Sequence, residues 1–352
     1  MNLPVRAAVI GCGAISKEHL SFLASTSWID LVGVCDLSPA ARAYAADRYG
    51  ATGAFADVAE MLSVARPEVV HVLTPPGTHR ALSLQCMEAG ANIVCEKPIT
   101  PTTAELEEVL AAANQRGLLV IESQNLRFND NILEIKRLIA DGSLGEILDV
   151  EVRIALDIAS GGKFGDTNVP SPVAGLAGGA IHDFLPHMAY GLLQFLPDGE
   201  IANVRTVWRN LSGNEAVGFD EFDAICTVGD ARLGMRFSSF LEPQGFRIYV
   251  RGTRGSAETD IYQPYLRVEV PRARGPLSPL ANQAQNGWTL VRSSAKGLKD
   301  KVLQHSPYHG MPRMLEQFYK AVRGEAVCPV RPDDMRRPMA LIDALVAGVP
   351  QR

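Results

Sequence analysis

The 352-residue chain lacks the marks of a membrane, secreted or nucleic-acid-binding protein. No apolar run approaches the roughly 20 residues that a membrane-spanning helix needs, and residues 1–6 lead into a strand-like segment without the regions of a signal peptide. The net charge is −5 and no long basic run is present, so the charge pattern does not favour nucleic acid or an anionic membrane as a partner. We therefore predict a cytoplasmic protein.

Cysteines are few, and their spacing is not that of a metal or redox motif. The six residues form no C-x-x-C pair, and four fall in runs typical of buried strands or turns. We interpret all six as small core residues that stay reduced, and we predict no metal site. The cysteines are Cys12, Cys35, Cys86, Cys95, Cys226 and Cys328.

Length and composition indicate an ordinary folded protein of about two domains. Hydrophobic residues make up 47% of the chain and charged residues 21%, which is typical of globular proteins. A chain of this length exceeds what one hydrophobic core usually sustains. No internal repeat or low-complexity tract interrupts it.

The first segment has the strand, glycine turn and helix that a nucleotide-binding motif requires. Val5–Ile10 is an apolar run, and Gly11 and Gly13 follow it directly. Gly11 would permit the tight turn, and Gly13 would let the backbone approach a pyrophosphate at the helix N-terminus, where Ala14 and Ile15 lie. Ser16 stands where the third glycine of the fingerprint is usual, which weakens the motif.

Asp36 ends the second predicted strand, 20 residues beyond Ser16. That spacing is typical of a carboxylate that accepts hydrogen bonds from an adenosine ribose, and its charge would repel a 2′-phosphate. We therefore predict NAD rather than NADP, with NADP kept open because Arg42 is near. Alternatively, Asp36 is a turn or capping residue before Ser38.

Strands and helices then alternate, which predicts a doubly wound parallel sheet in a Rossmann domain over residues 1–123. In such a sheet, ligands bind beyond the carboxyl ends of the strands. Each predicted strand end here carries polar or special residues, so one edge would collect them. They are Gly11, Asp36, Thr74-Pro75-Pro76, Glu96-Lys97-Pro98 and Gln124-Asn125.

Residues 124–352 show a different period and are predicted to form an α+β substrate-binding and oligomerisation domain. Apolar and polar residues alternate from Leu148 to Ile158, which predicts a long strand with one buried face. Further strand-like runs with short connections such as Gly229-Asp230 favour an open, largely antiparallel sheet. A free sheet face commonly needs a partner, so we expect a homodimer or homotetramer.

Two stretches of this domain read as loops. Residues 160–177 are rich in glycine and proline and could wall a substrate pocket, while residues 272–300 are polar and irregular, as in a lid or an oligomer arm. Helices are expected near residues 311–322 and 332–347.

These strand ends, in this order, resemble the Gfo/Idh/MocA oxidoreductases, named for glucose–fructose oxidoreductase and inositol dehydrogenase. The resemblance covers nearly the whole chain, and the combination of E-K-P with a distant D-x-x-x-H is specific. The residues that carry it are Gly11-Cys12-Gly13 with His19, Thr74-Pro75-Pro76-Gly77-Thr78-His79, Ala89-Gly90, Glu96-Lys97-Pro98, Arg127-Phe128, Gly178-Gly179 with Asp183 and His187, Gly252-Thr253 and Gly255-Ser256.

The resemblance implies a nicotinamide cofactor and a small-molecule substrate such as a sugar or inositol. It puts Lys97 and His187 at the reacting carbon, with Asp183 beside them, and includes Thr74, Pro75, His79 and Glu96 with the glycine turn among the cofactor contacts. Two departures concern the substrate pocket. Leu185 stands where family members often have glycine, and Tyr190 stands where a further acid is common.

The residues also support this chemistry on their own terms. Pro98 biases Lys97 toward extended backbone, and a cation at a strand end could steady an alkoxide. His187 could act as a general base oriented by Asp183, and Arg127 could bind substrate hydroxyls. On a helical wheel over residues 178–196, Asp183 and His187 share one face with Tyr190 and Gln194.

Each of these residues has a structural alternative. Lys97 could be a solvated partner of Glu96, Asp183 a helix N-cap and His187 a hydrogen-bonded core histidine. Two other functions also stay open. An apolar pocket around Phe164, Phe184 and Leu185 would favour a dehydrogenase of a non-carbohydrate ring, and the same architecture could serve a dinucleotide-sensing regulator without turnover.

Overall fold

The computed structural model describes residues 3–166, 175–272, 275–302 and 308–350. The chain forms two compact units. The first contains Met1–Phe128 and Tyr308–Arg336, and the second contains Asn129–Pro307 and Arg337–Arg352. The domain boundary after residue 123 stays a prediction about the sequence.

The first unit is built on a six-stranded parallel sheet. Its strand order is β3-β2-β1-β4-β5-β6, which is the doubly wound order of dinucleotide-binding folds, with the reversal between β1 and β4. The strands are near-continuous apolar runs because both faces of a parallel sheet are covered. This sheet confirms the predicted Rossmann domain. The strands are β1 (Val5–Ile10), β2 (Ile29–Cys35), β3 (Ala54–Phe55), β4 (Val69–Val72), β5 (Asn92–Cys95) and β6 (Val120–Glu122).

The helices of this sheet start in two ways. Ser38, Asp57 and Thr102 cap α2, α3 and α5 with their side chains, whereas α1 and α4 begin without a side-chain cap. The uncapped helices follow β1 and β4, on the two sides of the reversal, so their terminal N–H groups lie where an anion is expected. The helices are α1 (Ser16–Ser25), α2 (Pro39–Tyr49), α3 (Val58–Ala65), α4 (Pro76–Glu88) and α5 (Thr103–Arg116).

The second unit contains an open seven-stranded sheet in the order β13-β12-β11-β7-β10-β9-β8. Strand β7 pairs in parallel with β10, and the other pairs are antiparallel, which confirms the predicted open, largely antiparallel sheet. The elements are α6 (Asp130–Ala140), β7 (Ile147–Ala155), α7 (Gly162–Gly165), α8 (Gly179–His182), α9 (Leu185–Leu193), β8 (Ile201–Arg209), β9 (Glu221–Val228), β10 (Ala231–Ser238), β11 (Gly245–Gly252), β12 (Ser256–Asp260), β13 (Tyr265–Glu269) and α10 (Ser278–Val302).

Strand β7 shows the alternation that the sequence predicts. Val150, Val152 and Ile154 are fully buried on one face. The opposite face carries cross-strand ion pairs, in which Arg232 contacts both Asp149 and Glu151. The open face therefore carries these ion pairs together with the exposed apolar side chains of Val207 and Ile225, and self-association through it stays a prediction.

The loop predicted over residues 272–300 is wrong, because most of it forms the 25-residue helix α10. Asn286 accepts a hydrogen bond from the backbone N–H of Val268 at 2.9 Å and donates one to its carbonyl at 3.0 Å. Asn282 likewise donates to the Val270 carbonyl at 2.9 Å. The polar residues that read as irregular thus satisfy the free edge of β13.

The rest of the chain shows two further differences in detail. The single helix predicted over residues 178–196 is broken into α8 and α9, with Asp183 and Phe184 between them. Helices α11 (Met311–Val322) and α12 (Pro332–Val346) lie near their predicted places. Of the loop predicted at residues 160–177, residues 167–174 lie outside the described residues. Among the described ranges, no helix has the length and apolar character to cross a membrane.

Candidate cofactor and catalytic site

The glycine turn after β1 contains two glycines with different reasons for being there. Gly11 has φ +93°, and an added Cβ would lie 2.8 Å from the Leu73 carbonyl oxygen and 3.1 Å from the Thr74 nitrogen. Only glycine accepts both the positive φ and this backbone approach. At Gly13 an added Cβ would meet nothing within 4 Å, so the space over this residue is open to a ligand.

Asp36 is held against this turn. One carboxylate oxygen accepts from the Cys12 N–H at 2.7 Å, and the other accepts from the Ser38 N–H at 2.8 Å. Both the ligand role and the turn role considered from sequence are therefore compatible with its position. A carboxylate has about four acceptor sites, so two such bonds leave capacity for ribose hydroxyls. Burial, followed by the charge of Asp36, raises the pKa of the Cys12 thiol to about 12.

The turn after β4 is tied to the turn after β5 by His79. Its Nδ1 lies 2.8 Å from the Pro98 carbonyl oxygen, and its Nε2 lies 2.6 Å from that of Thr74. Burial lowers the pKa of His79, whereas the two carbonyls act in the opposite direction. The Thr74 hydroxyl bonds that of Thr78 at 2.7 Å. His79 thus supports the predicted cofactor edge from within, since its side chain is fully buried.

Glu96 and Lys97 follow β5 at the same edge. One oxygen of Glu96 accepts from the Lys97 N–H at 3.2 Å, and the other lies 3.3 Å from His19 Nε2. Burial alone would raise the pKa of Glu96, but the hydrogen bond from His19 and the charge of Lys97 hold it below its ordinary value. The glutamate is therefore an anion that fixes the backbone of Lys97.

Arg127 was predicted to bind substrate, and the structure gives its guanidinium partners within the protein. It donates to the Gln124 side chain at 2.7 Å and forms an ion pair with Asp334 at 3.2 Å. The sequence does not predict the ion pair with Asp334, because 207 residues separate it from Arg127 and no local pattern links the two. A substrate role for Arg127 stays a prediction.

In the second unit, His187 lies on α9 and Asp183 on the short connection from α8. Gly179 begins α8 with φ +57°, and an added Cβ there would collide with the Val217 carbonyl, so only glycine fits this position. The Nδ1 of His187 and the Tyr190 hydroxyl are 2.5 Å apart, and Tyr190 is 1% exposed. Tyr190 is therefore a buried partner of His187 rather than a presented side chain.

The N-cap alternative for Asp183 is not what this helix shows. Residue Phe184 occupies the N-cap position of α9, and Asp183 ends α8.

Burial lowers the pKa of His182. Among the described residues, no three or more His, Cys, Asp or Glu side chains form a group that could hold a metal ion.

Comparison with known proteins agrees with this geometry. Residues 5–124 match the model of the Gfo/Idh/MocA oxidoreductase family, NAD-binding Rossmann fold, and residues 132–258 match the model of the family's C-terminal domain. The chain belongs to the Gfo/Idh/MocA oxidoreductase family. The predicted family, with its NAD-binding Rossmann fold, is confirmed.

Two curated relatives are similar to parts of this chain. A D-glucoside 3-dehydrogenase of Escherichia coli is 31% identical over 41% of each chain. An inositol 2-dehydrogenase of Rhizobium meliloti is 26% identical over 79% of this chain and 82% of its own length. This family member spans only about two fifths of the glucoside dehydrogenase that it matches.

The fold is shared by solved structures. A putative myo-inositol dehydrogenase from Sinorhizobium meliloti superposes with a TM-score of 0.75, covering 98% of this chain and 97% of that one at 21% identity. At this identity, the likeness establishes the shared fold and nothing about substrate.

Proposed function

We propose that the protein is an NAD-dependent dehydrogenase that oxidises a secondary alcohol of a sugar, an inositol or a related polyol, or reduces the matching ketone. The observation that carries the proposal is the arrangement at the strand ends of the first unit. An open glycine position, an anchored acid and an anion-fixed lysine follow three strands that end at one edge of the sheet.

The residues at this edge fit a dinucleotide. Gly13, Ala14 and Ile15 would hold the pyrophosphate with the uncapped N-terminus of α1, and Asp36 would accept from the adenosine ribose. Thr74, Pro75, His79, Glu96 and Lys97 would complete the cofactor side. The bound nicotinamide would accept the hydride that leaves the carbinol carbon.

The proposed acid–base chemistry belongs to His187. With its Nδ1–H donated to the Tyr190 oxygen, the ring would carry its lone pair on Nε2 and could take a proton from the substrate hydroxyl. Asp183 would bind substrate and favour the protonated ring by its charge. Lys97 would donate a hydrogen bond to the same substrate oxygen and stabilise the developing negative charge.

The substrate class rests on relatives whose names specify glucosides and inositol. A specific observation favours a second candidate, a non-carbohydrate ring. Phe184 contacts Phe164 and Phe237, with ring centroids 5.8 and 5.0 Å apart, and both Phe164 and Phe184 are half-buried. Such an aromatic cluster beside Asp183 would also suit a flat apolar substrate.

Nucleotide binding is the first test, measured as NADH and NADPH fluorescence titrations on the wild type and Asp36→Ala. We expect a preference for NADH that the variant loses. The readout is the ratio of the dissociation constants for NADH and NADPH. Asp36→Ala also removes the hydrogen bonds to Cys12 and Ser38, and this loss should weaken the binding of both nucleotides. Failure of the wild type to bind either nucleotide would refute the proposal.

A panel of sugars, inositols and dihydrodiol-type rings then follows, with Lys97→Ala and His187→Ala as controls. Turnover with polyols that both variants lose would support the main proposal, and turnover confined to apolar rings would support the second candidate. Tight NADH binding without turnover of any compound would favour a dinucleotide-sensing regulator. Sedimentation of the purified protein would test the proposed homodimer or homotetramer.

A further inference from the structure

A buried chain of hydrogen bonds runs from Glu96 behind the E-K-P turn, and its members beyond Glu96 have no part in the chemistry proposed above. It begins at Glu96, whose carboxylate lies 3.3 Å from His19 Nε2. The Nδ1 of His19 lies 2.8 Å from Nδ1 of His71, and Nε2 of His71 lies 2.9 Å from the Tyr319 hydroxyl. His19, His71 and Tyr319 are each 0% exposed.

The two ends of this chain set the direction of its hydrogen bonds. Glu96 is a carboxylate, which can only accept. Tyr319 is a phenol surrounded by the rings of Phe22, Trp28 and Phe318, with centroids 6.1 Å away in each case. A buried O–H without an acceptor is costly, and His71 Nε2 is the acceptor that the structure provides.

The tautomers of both histidines follow from these ends. If Tyr319 donates to His71 Nε2, then His71 carries its proton on Nδ1 and donates to His19 Nδ1. His19 then carries its proton on Nε2 and donates to Glu96. Three protons serve three hydrogen bonds, and both rings are neutral. Since the chain ends at a buried phenol, it can orient groups but does not lead protons to solvent at that end.

We propose that Tyr319, His71 and His19 are positioning residues that orient the Glu96 carboxylate and, through its second oxygen, the backbone of Lys97. The consequence for catalysis rests on the proposed dehydrogenase function. The tautomers do not rest on it. Burial lowers the pKa of His71 well below its ordinary value, in agreement with a neutral ring.

The tautomers can be measured without any turnover, by long-range ¹H–¹⁵N correlation spectra of protein with labelled histidine. His71→Asn and His19→Asn spectra would assign the two rings among the seven histidines. We expect Nδ1–H on His71 and Nε2–H on His19. An Nε2–H on His71, or a doubly protonated His19 at pH 7.5, would overturn the proposed direction.

A matched pair of variants tests the positioning role. In His71→Asn the amide nitrogen occupies the place of Nδ1 and can still donate to His19, whereas in His71→Gln it reaches only the place of Nε2. We expect kcat of the asparagine variant within about threefold of the wild type and that of the glutamine variant roughly tenfold lower, with NADH affinity kept in both.

Equal losses of kcat in the two variants would overturn the positioning role, because glutamine is closer to histidine in volume than asparagine and would be favoured by packing alone. If either variant fails to fold, Tyr319→Phe provides the second comparison, with Phe22→Leu as its control in the same aromatic cluster. The phenylalanine variant should then lose the single tautomer of His71, and retention of that tautomer would contradict the chain.

Discussion

Replacing Gly11 by alanine is expected to destabilise the protein, whereas the same change at Gly13 is expected to weaken only nucleotide binding. At Gly11 the residue must adopt φ +93°, and a left-handed conformation costs a non-glycine residue about 1–2 kcal/mol. The added Cβ would also lie 2.8 and 2.9 Å from the Leu73 carbonyl oxygen and carbon. These are backbone atoms of a neighbouring loop, so relief requires a shift that costs about 1–3 kcal/mol.

The sum is about 2–5 kcal/mol, which for a unit of this size corresponds to a melting temperature lower by roughly 4–20 °C. Gly13→Ala meets nothing within 4 Å, so its melting temperature without nucleotide should stay within about 2 °C of the wild type. Its NADH affinity should fall by at least about tenfold, since the methyl group would occupy the space proposed for the pyrophosphate.

Thermal unfolding without ligand and NADH titration on the three proteins measure both effects. An unchanged melting temperature for Gly11→Ala would refute the close approach of the two turns. Wild-type NADH affinity for Gly13→Ala would refute the pyrophosphate position. The pair separates a structural glycine from a binding glycine two residues apart.

Three further predictions follow from contacts elsewhere. Tyr190→Phe removes the hydroxyl bonded to His187 Nδ1 and should lower kcat by about tenfold, with little effect on the KM for NAD. An unchanged kcat and pH–rate profile would contradict the role of Tyr190. Asn286→Ala leaves the N–H and carbonyl of Val268 without their partner and should lower the free energy of urea unfolding by about 1–3 kcal/mol. Gln285→Ala, on the exposed side of α10, should change it very little, and equal losses in the two variants would refute the edge pairing. Burial holds the pKa of His71 far below its ordinary value, so at acid pH the unfolded chain binds a proton there that the folded chain does not. The contribution of His71 to stability is therefore complete above about pH 6.5 and is lost as the pH falls below that value, by up to about 1.4 kcal/mol per pH unit. Denaturant unfolding at pH 7.5 and 5.5 should show a smaller loss for His71→Asn than for the wild type, and an identical loss would contradict the buried neutral ring.

The sequence by itself determined the elements whose signals are local. Apolar runs that end in glycine or acid predicted the parallel strands, and the alternation after residue 146 predicted β7, because burial of both faces or of one face leaves a period along the chain. Gly11 and Asp36 were identified because a tight turn and a ribose contact each require a residue type at a set distance. The two-residue β3 and the helix α3 were missed, since β3 is too short to show a period.

Tertiary structure alone decided what depends on residues far apart in the chain. His19, His71 and Tyr319 lie 52 and 248 positions from one another along their bonds, and only the folding of α11 beside the sheet of the first unit brings the phenol to the histidine. The polar residues of α10 gave no apolar stripe toward β13, because two asparagines bind the strand edge through hydrogen bonds instead. The start of α8 likewise depends on a distant residue, since the Ala180 N–H donates to the Val217 carbonyl at 2.8 Å. Periodicity records which residues are buried, but the pairing of polar groups is a property of three-dimensional contact.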